Sequence, residues 1–147
     1  GDRRNLPGEL VADVAHQLGL SPAPCWHSAR DTVAEAGAVF AGIAGSCGKI
    51  GQDMALMAQD RTLALNGGGG SSAMPHKINP VRAELLVTLA RFAVAQTAAL
   101  TGALVHEQER SGAAWALEWM TIPQLAVATA KALATAAELC EDVAGIG

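Results

Sequence analysis

One segment of the sequence combines glycines, hydroxyls, a positive charge and the start of a helix. Its chemistry-bearing positions are Gly67–Gly70, Ser71, Ser72, Lys77, Asn79 and Pro80. Glycine reaches backbone conformations that other residues avoid, Asn is a favoured N-cap, and Pro is a favoured first helical residue. A helix N-terminus carries unpaired N–H groups and a partial positive charge, to which a lysine adds a full charge. The segment therefore predicts a binding site for a carboxylate or a phosphate.

Two alternatives apply to the same segment. A nucleotide-binding P-loop places Ser or Thr directly after Gly-Lys, whereas here Ser71 and Ser72 precede Lys77, which excludes that motif. A flexible linker between two helices is what glycine tracts commonly form. On the residues alone the linker stays open, and it would leave these side chains without a chemical role.

Apolar periodicity predicts long helices on both sides of this segment, which we assign to a loop over residues 60–80. From residue 31 to 59, apolar or small residues recur at steps of three and four, and about 29 residues make a rod of roughly 43 Å. These positions are Val33, Ala36, Phe40, Ile43, Cys47, Ile50, Met54 and Met57. Further helices are predicted over 6–19, 80–106 and 115–143, where Pro123 kinks the last helix or displaces its start. The predicted fold class is all-α, a segment of a long-helix bundle.

Three helices of this length cannot cover one another's apolar faces. The helix after Pro80 carries one apolar face with Val81, Leu85, Leu89, Phe92 and Ala99, and another with Leu86, Ala90, Ala93, Leu100 and Leu104. A helix that is apolar on two faces is usually surrounded by neighbours. We therefore expect further helices from the same protein, from partner chains or from both. A self-contained antiparallel three-helix coiled coil is the alternative.

Composition and charge exclude several classes of function. The formal charge of the 147 residues is −4, and no basic run exceeds Arg3-Arg4, so we expect no nucleic-acid partner. The three cysteines are too widely spaced for a disulfide framework or a zinc site, which favours a reducing cytoplasm. Charged residues such as Asp53, Arg91 and Lys131 interrupt the apolar stretches, so no membrane span is predicted. We also find no cluster of metal ligands.

The eleven residues Gly-Ser-Ser-Ala-Met-Pro-His-Lys-Ile-Asn-Pro, from Gly70 to Pro80, resemble the signature GSSxMPxKxNP of the fumarase/aspartase superfamily. Every fixed position matches, and the preceding helix is also similar over Gly48–Asp53. The resemblance implies a homotetramer built around a large helical bundle, with each active site assembled from three subunits. It implies removal of a proton next to a carboxylate, an aci-carboxylate anion and loss of a leaving group, without a cofactor.

The resemblance also implies roles for individual side chains. Ser71 takes the position of the general base, and Ser72 lies beside it as a substrate-binding residue. Lys77 and Asn79 match residues that bind the substrate carboxylate. Glu84 matches a glutamate that pairs with a catalytic histidine from another segment, which this chain does not contain. His76 occupies a variable position and is expected to serve structure or specificity.

A second stretch, Glu109-Arg110 followed by Trp115-Ala-Leu-Glu118-Trp119, resembles the bacterial 3-carboxy-cis,cis-muconate cycloisomerases. Adenylosuccinate lyases carry hydroxyls and an arginine where this chain has Trp115, Ala116 and Trp119, so a phosphorylated substrate is disfavoured. Trp115 is then expected to contact a planar unsaturated acid; the alternative is that both tryptophans belong to the core. His106, Glu107 and Glu109 either line the site or lie in a solvated turn between helices, and we favour the turn.

Arg30 follows a polar loop and is expected to bind a substrate carboxylate, or to form a solvated salt bridge. The branch implies conversion of 3-carboxy-cis,cis-muconate to 4-carboxymuconolactone. A different lyase of the superfamily and a non-catalytic helical scaffold are the alternatives. We expect residues 1–147 to form the central segment, without the family's N-terminal part and C-terminal domain, and to be inactive alone.

Overall fold

The computed structural model describes residues 8–23, 27–66, 68–70, 78–107 and 112–147. The helices within these ranges are α1 (Gly8–Gln17), α2 (Asp31–Gln59), α3 (Val81–Gly102) and α4 (Gly112–Glu141). The strands are β1 (Leu63–Leu65), β2 (Gly69–Gly70), β3 (Ile78–Asn79) and β4 (Val143–Ile146). Strand β1 pairs with β4, and β2 pairs with β3, both antiparallel. The predicted all-α fold is confirmed, because the strands only connect helix ends.

The helix bounds agree with the prediction for α2 and differ elsewhere. Helix α3 ends at Gly102, and α4 starts at Gly112 and continues past Pro123. The expected displacement of its start by Pro123 is therefore wrong. Proline costs the helix one backbone hydrogen bond. Thr121 and Leu125, on either side of it, are buried against the other helices, and this packing offsets the lost bond. That burial keeps the helix whole.

Helices α2 and α3 pack antiparallel with almost no space between them. A Cβ on Gly48 would lie 2.5 Å from the Cβ of Ala90, and a Cβ on Gly51 would lie 2.6 Å from the carbonyl oxygen of Ala83. A Cβ on Gly37 would lie 2.5 Å from a methyl of Leu100. The contact face of α2 therefore combines these glycines with part of the predicted heptad. Cys47 of that heptad is buried and Val33, Phe40 and Met54 pack against the core, whereas Ile50 is exposed. Hydrophobic periodicity misses the glycines of this face because glycine carries no apolar side chain.

Helix α4 covers the groove between the other two helices with a regular buried stripe. Its members recur at steps of three and four: Glu118, Thr121, Leu125, Ala128, Ala132, Thr135 and Leu139. Polar members of the interface bind backbone carbonyls of α2, with Thr129 Oγ1 3.2 Å from the oxygen of Phe40 and Thr97 Oγ1 3.2 Å from that of Gly37. These bonds satisfy the hydroxyls of Thr129 and Thr97 inside the bundle, whereas Thr135 Oγ1 has no partner among the described residues.

Large apolar side chains remain exposed along all three long helices. They include Val39, Leu56, Val81, Phe92, Val94, Met120, Val127 and Leu133. Helix α1 buries none of its residues. Helices α2 and α3 are long and apolar enough to cross a membrane by length and composition, a test that core helices of soluble proteins also pass. The three helices thus leave apolar faces uncovered, as the sequence predicted.

Gly51→Ala should destabilise the chain by about 1–3 kcal/mol, the usual cost of overpacking, because the new Cβ meets backbone that cannot move aside. Gly42→Ala is the matched control in the same helix, where a Cβ meets nothing within 4 Å. Alanine there should raise the free energy of unfolding by at most about 1 kcal/mol, because alanine favours a helix more than glycine does. Chemical denaturation of both variants measures the difference. Equal effects would show that α2 and α3 do not approach as described.

Candidate functional site

The candidate residues lie at two opposite ends of the bundle. Helix α2 starts near Glu118, whereas its other end lies against the start of α3, where Gly51 faces Ala83. One end, called here the loop end, carries β1 to β4 and the start of α3. The other, called the Arg30 end, carries the starts of α2 and α4. Helices of about 29 residues separate the two ends by roughly 40 Å.

At the loop end, the two-residue ladder of β2 and β3 flanks the signature segment. Gly69 pairs with Asn79, and Gly70 pairs with Ile78. Ser71, Ser72 and Lys77, along with His76, lie outside the described residues. Asn79 is half-buried and extended in β3, so the N-cap position belongs to Pro80, which makes no side-chain capping bond. The predicted cap at Asn79 is wrong by one residue, because Pro80 has non-helical backbone angles (φ −78°, ψ 65°) and the first helical residue is therefore Val81.

Glu84 lies in the first turn of α3 and is exposed to solvent. Within the described ranges its carboxylate has no ion pair. The same turn is tied to the end of α4 by Arg82, which bonds Asp142 and lies 3.2 Å from Glu138. The bond to Asp142 raises the pKa of the Arg82 guanidinium. Arg82 therefore fixes the helix start from which Asn79 and Glu84 are presented.

At the Arg30 end, three side chains from three elements meet in a buried network. Arg30 donates from Nε to Glu118 Oε1 at 2.8 Å and from Nη2 to Oε2 at 2.6 Å. His106, in the connection after α3, places Nε2 3.0 Å from Glu118 Oε1. Glu118 is 2% exposed, the Arg30 side chain 13% and the His106 side chain 0%. The hydrogen bonds from Arg30 lower the pKa of Glu118, overcoming the opposing effect of burial.

This network corrects two expectations. Arg30 forms a buried salt bridge rather than a solvated one, and His106 is enclosed rather than part of a solvated turn. Glu118 was missed as a site residue. The sequence did contain an indication of its role, because Glu118 is a charged residue at the same helical spacing as Thr121 and Leu125, which face the core. Composition alone cannot detect it, because the partner that makes its burial tolerable is 88 residues away.

A cavity of about 390 Å³ adjoins the network and is lined by Arg30, Trp115, Glu118, Trp119, Ile122 and Pro123. The indoles of Trp115 and Trp119 meet edge to face with their centres 5.9 Å apart. They are 39% and 67% exposed, so within this chain they are not core residues. Their face of α4 lies beside the buried stripe and leads to the cavity. A guanidinium beside two aromatic rings suits a flat carboxylate.

The loop end contains a second cavity of about 380 Å³. Its lining includes Gly68, Gly69, Pro80, Val81 and Arg82, so it adjoins the residues that flank the segment. Among the residues that the structure describes, no three His, Cys, Asp or Glu side chains come together to hold a metal ion. The described part of this end thus offers a helix start and backbone groups near the expected carboxylate site.

Glu118→Gln should lower the melting temperature most at neutral pH. A carboxylate with a lowered pKa stabilises the fold above its unfolded-state pKa, and that contribution is lost as the pH falls through the lowered value. The difference between parent and variant should therefore persist from neutral pH down to about pH 4.3, the ordinary pKa of a glutamate, and shrink as the pH falls further. Glu138→Gln, in an exposed salt bridge with Arg82, is the control and should change little. A difference for Glu118→Gln that is independent of pH would contradict the ionised network.

Comparisons with known proteins place this geometry in a family. A family model described as lyase matches residues 4–95. A 3-carboxy-cis,cis-muconate cycloisomerase of Bradyrhizobium diazoefficiens is 43% identical over 97% of this chain and 32% of that protein. A nitrosuccinate lyase of Streptomyces davaonensis is 40% identical over 94% of this chain and 31% of its own length.

The fold agrees with a solved structure of the same group. A 3-carboxy-cis,cis-muconate lactonizing enzyme from Pseudomonas putida matches with a TM-score of 0.80 and 33% identity, covering 94% of this chain and 31% of that one. This chain spans about a third of the length of the curated relatives it matches. The match to the family model, the similar relatives and the similar solved structure confirm the resemblance found in the signature segment. The chain therefore belongs to the fumarase/aspartase family of lyases.

Proposed function

We propose that the intact protein is a cycloisomerase that converts 3-carboxy-cis,cis-muconate to 4-carboxymuconolactone. The observation that supports this most strongly is the similarity over 97% of the chain to a cycloisomerase, together with the complete signature segment. The cavity at the Arg30 end adds a chemical reason. It presents a guanidinium and two indoles, which suit a flat unsaturated acid better than a phosphate.

In this reaction a carboxylate oxygen of the substrate adds to the conjugated double bond. The electron pair moves onto another carboxylate to give an aci-carboxylate, and a proton then adds to the adjacent carbon. Lys77, Asn79 and the start of α3 stabilise the developing negative charge. Ser71 or a histidine from another segment transfers the proton, and Glu84 supports that histidine. Ser72 binds the substrate beside Ser71.

The positions of the two candidate sets support a site shared between copies. Asn79 and Glu84 lie at the loop end, and Arg30 and Trp115 lie roughly 30–40 Å away at the Arg30 end. One small polycarboxylate cannot contact both sets in one chain. If both bind it, they come from different copies, as in the tetramer implied by the family resemblance. The exposed apolar faces of α2, α3 and α4 supply surfaces for such an assembly. We propose a soluble, cytoplasmic homotetramer.

A second candidate is a lyase that acts on a substituted succinate. The nitrosuccinate lyase of Streptomyces davaonensis is nearly as similar to this chain as the cycloisomerase of Bradyrhizobium diazoefficiens. An elimination from a succinate passes through the same type of aci-carboxylate, so the signature segment serves either reaction. Adenylosuccinate is disfavoured because Trp115 and Trp119 replace the charged and hydroxyl donors that a phosphate needs. A scaffold would have no use for the signature side chains.

Assaying the intact protein with 3-carboxymuconate, nitrosuccinate and adenylosuccinate side by side should give the highest kcat/KM with 3-carboxymuconate. Ultraviolet absorbance follows the loss or gain of conjugation in each reaction. The absence of two contacts to a phosphate, at about 1.5–3 kcal/mol each, should make kcat/KM for adenylosuccinate lower by orders of magnitude. Faster turnover of nitrosuccinate would assign the second candidate, and no turnover of any would favour the scaffold.

Lys77→Met in the intact protein should lower kcat/KM about a hundredfold, because a charge-assisted contact to a developing anion is worth on the order of 3 kcal/mol. The melting temperature should change little. Lys49→Met, at an exposed position on α2 where the side chain pairs with Asp53, is the control and should leave the rate unchanged. Near-normal turnover of the Lys77 variant would show that the signature lysine does not take part in the site.

A further inference from the structure

The Arg30 end contains a buried ion pair, a kind of contact that often stabilises a fold no more than an apolar pair of similar size would. Taking a carboxylate and a guanidinium out of water costs several kcal/mol per ion, and replacing such a pair with apolar residues is often neutral or stabilising. The pair of Arg30 and Glu118 is therefore poorly explained by stability alone. What a buried bidentate pair does provide is a fixed direction for each group.

The two described bonds to Glu118 hold Arg30 by two of its nitrogens. Its Nε and Nη2 both bind Glu118, which defines the plane of the guanidinium as well as its position. A free arginine side chain has about 2 kcal/mol of rotamer entropy, and two parallel bonds remove much of that freedom before any ligand arrives. Because Arg30 and Glu118 both line the cavity with Trp115 and Trp119, the fixed plane forms part of the cavity wall.

His106 holds Glu118 in turn. An ionised carboxylate only accepts hydrogen bonds, so His106 Nε2 is the donor to Glu118 Oε1. The imidazole is fully enclosed, and its Nδ1 has no partner among the residues that the structure describes. His106 is not among the residues that line the cavity. Its described polar contact is therefore directed at Glu118 rather than at a ligand.

We propose that Glu118 is a positioning residue, oriented by His106, that holds Arg30 in the cavity wall to receive a substrate carboxylate beside the indoles of Trp115 and Trp119. The proposal rests on the function proposed above, because it names how that substrate is recognised. It gives Glu118 and His106 roles that act through Arg30, without contact to the reacting atoms.

In the intact enzyme, Glu118→Gln should raise KM for 3-carboxymuconate about tenfold, the effect of losing one hydrogen bond to a charged group. The kcat should stay within about threefold, since the proton-transfer groups belong to the loop end of another copy. Asp53→Asn makes the same change from carboxylate to amide in the exposed bridge to Lys49 and should leave both constants unchanged. A purely structural role would lower the melting temperature of Glu118→Gln and leave KM within about twofold, and that result would overturn the proposal.

The His106 contact is tested with a pair of variants. His106→Gln keeps an N–H that can reach Glu118, whereas His106→Leu removes the donor. KM should rise for the leucine variant and return towards the parent value for the glutamine variant. Equal KM values in both variants would show that His106 only fills space.

A binding measurement separates this proposal from the proposed reaction. Benzene-1,2,4-tricarboxylate, a flat triacid that cannot react, should quench the fluorescence of the cavity tryptophans and bind about tenfold more weakly to Glu118→Gln. If the intact enzyme does not turn over 3-carboxymuconate yet shows this difference, the proposed function fails and the positioning role stands. If the triacid does not bind the parent, or binds parent and variant equally, the positioning role is wrong.

Discussion

At Gly37, Gly48 and Gly51 the backbone of α2 lies so close to α3 that a Cβ would overlap its neighbours. This close approach sets the register of the two helices, because sliding either one would bring a side chain where only a glycine fits. Helix α4 then fills the groove above them with a stripe of small, polar and leucine side chains. The positions of both candidate sites follow from that register, since each site combines residues from the ends of at least two helices.

Because α2, α3 and α4 alternate in direction, each bundle end gathers a different set of chemical groups. The loop end collects a helix N-terminus, an exposed Glu84 and the Arg82 tie to α4. The Arg30 end collects a buried acid, a guanidinium and an enclosed imidazole. A chain with net charge −4 repels anions as a whole. Binding of the proposed polycarboxylate substrate would therefore depend on these local groups and on how firmly they are held.

The two ends solve that problem in different ways. At the Arg30 end, burial and a bidentate partner hold the cation still, so little side-chain freedom remains to be lost when a carboxylate binds. At the loop end, the described residues supply mostly backbone: the ladder of β2 and β3 and the start of α3. Rigid side chains at one end and a backbone-lined helix start at the other are what separate copies would bring together around one substrate.

The sequence by itself determined the all-α class, the bounds of α2, the uncovered apolar faces and the family, because periodicity and an eleven-residue signature are local properties of the chain. It placed Arg30 and Trp115 among the candidate residues but put them in one set with Asn79 and Glu84, and it left Glu118 and His106 out. Only the tertiary structure separated the two sets and joined Arg30 to Glu118, whose partners lie 88 and 12 residues away. Such pairing depends on helix register, and here that register comes from glycines, which carry no hydrophobic signal for a sequence pattern to detect.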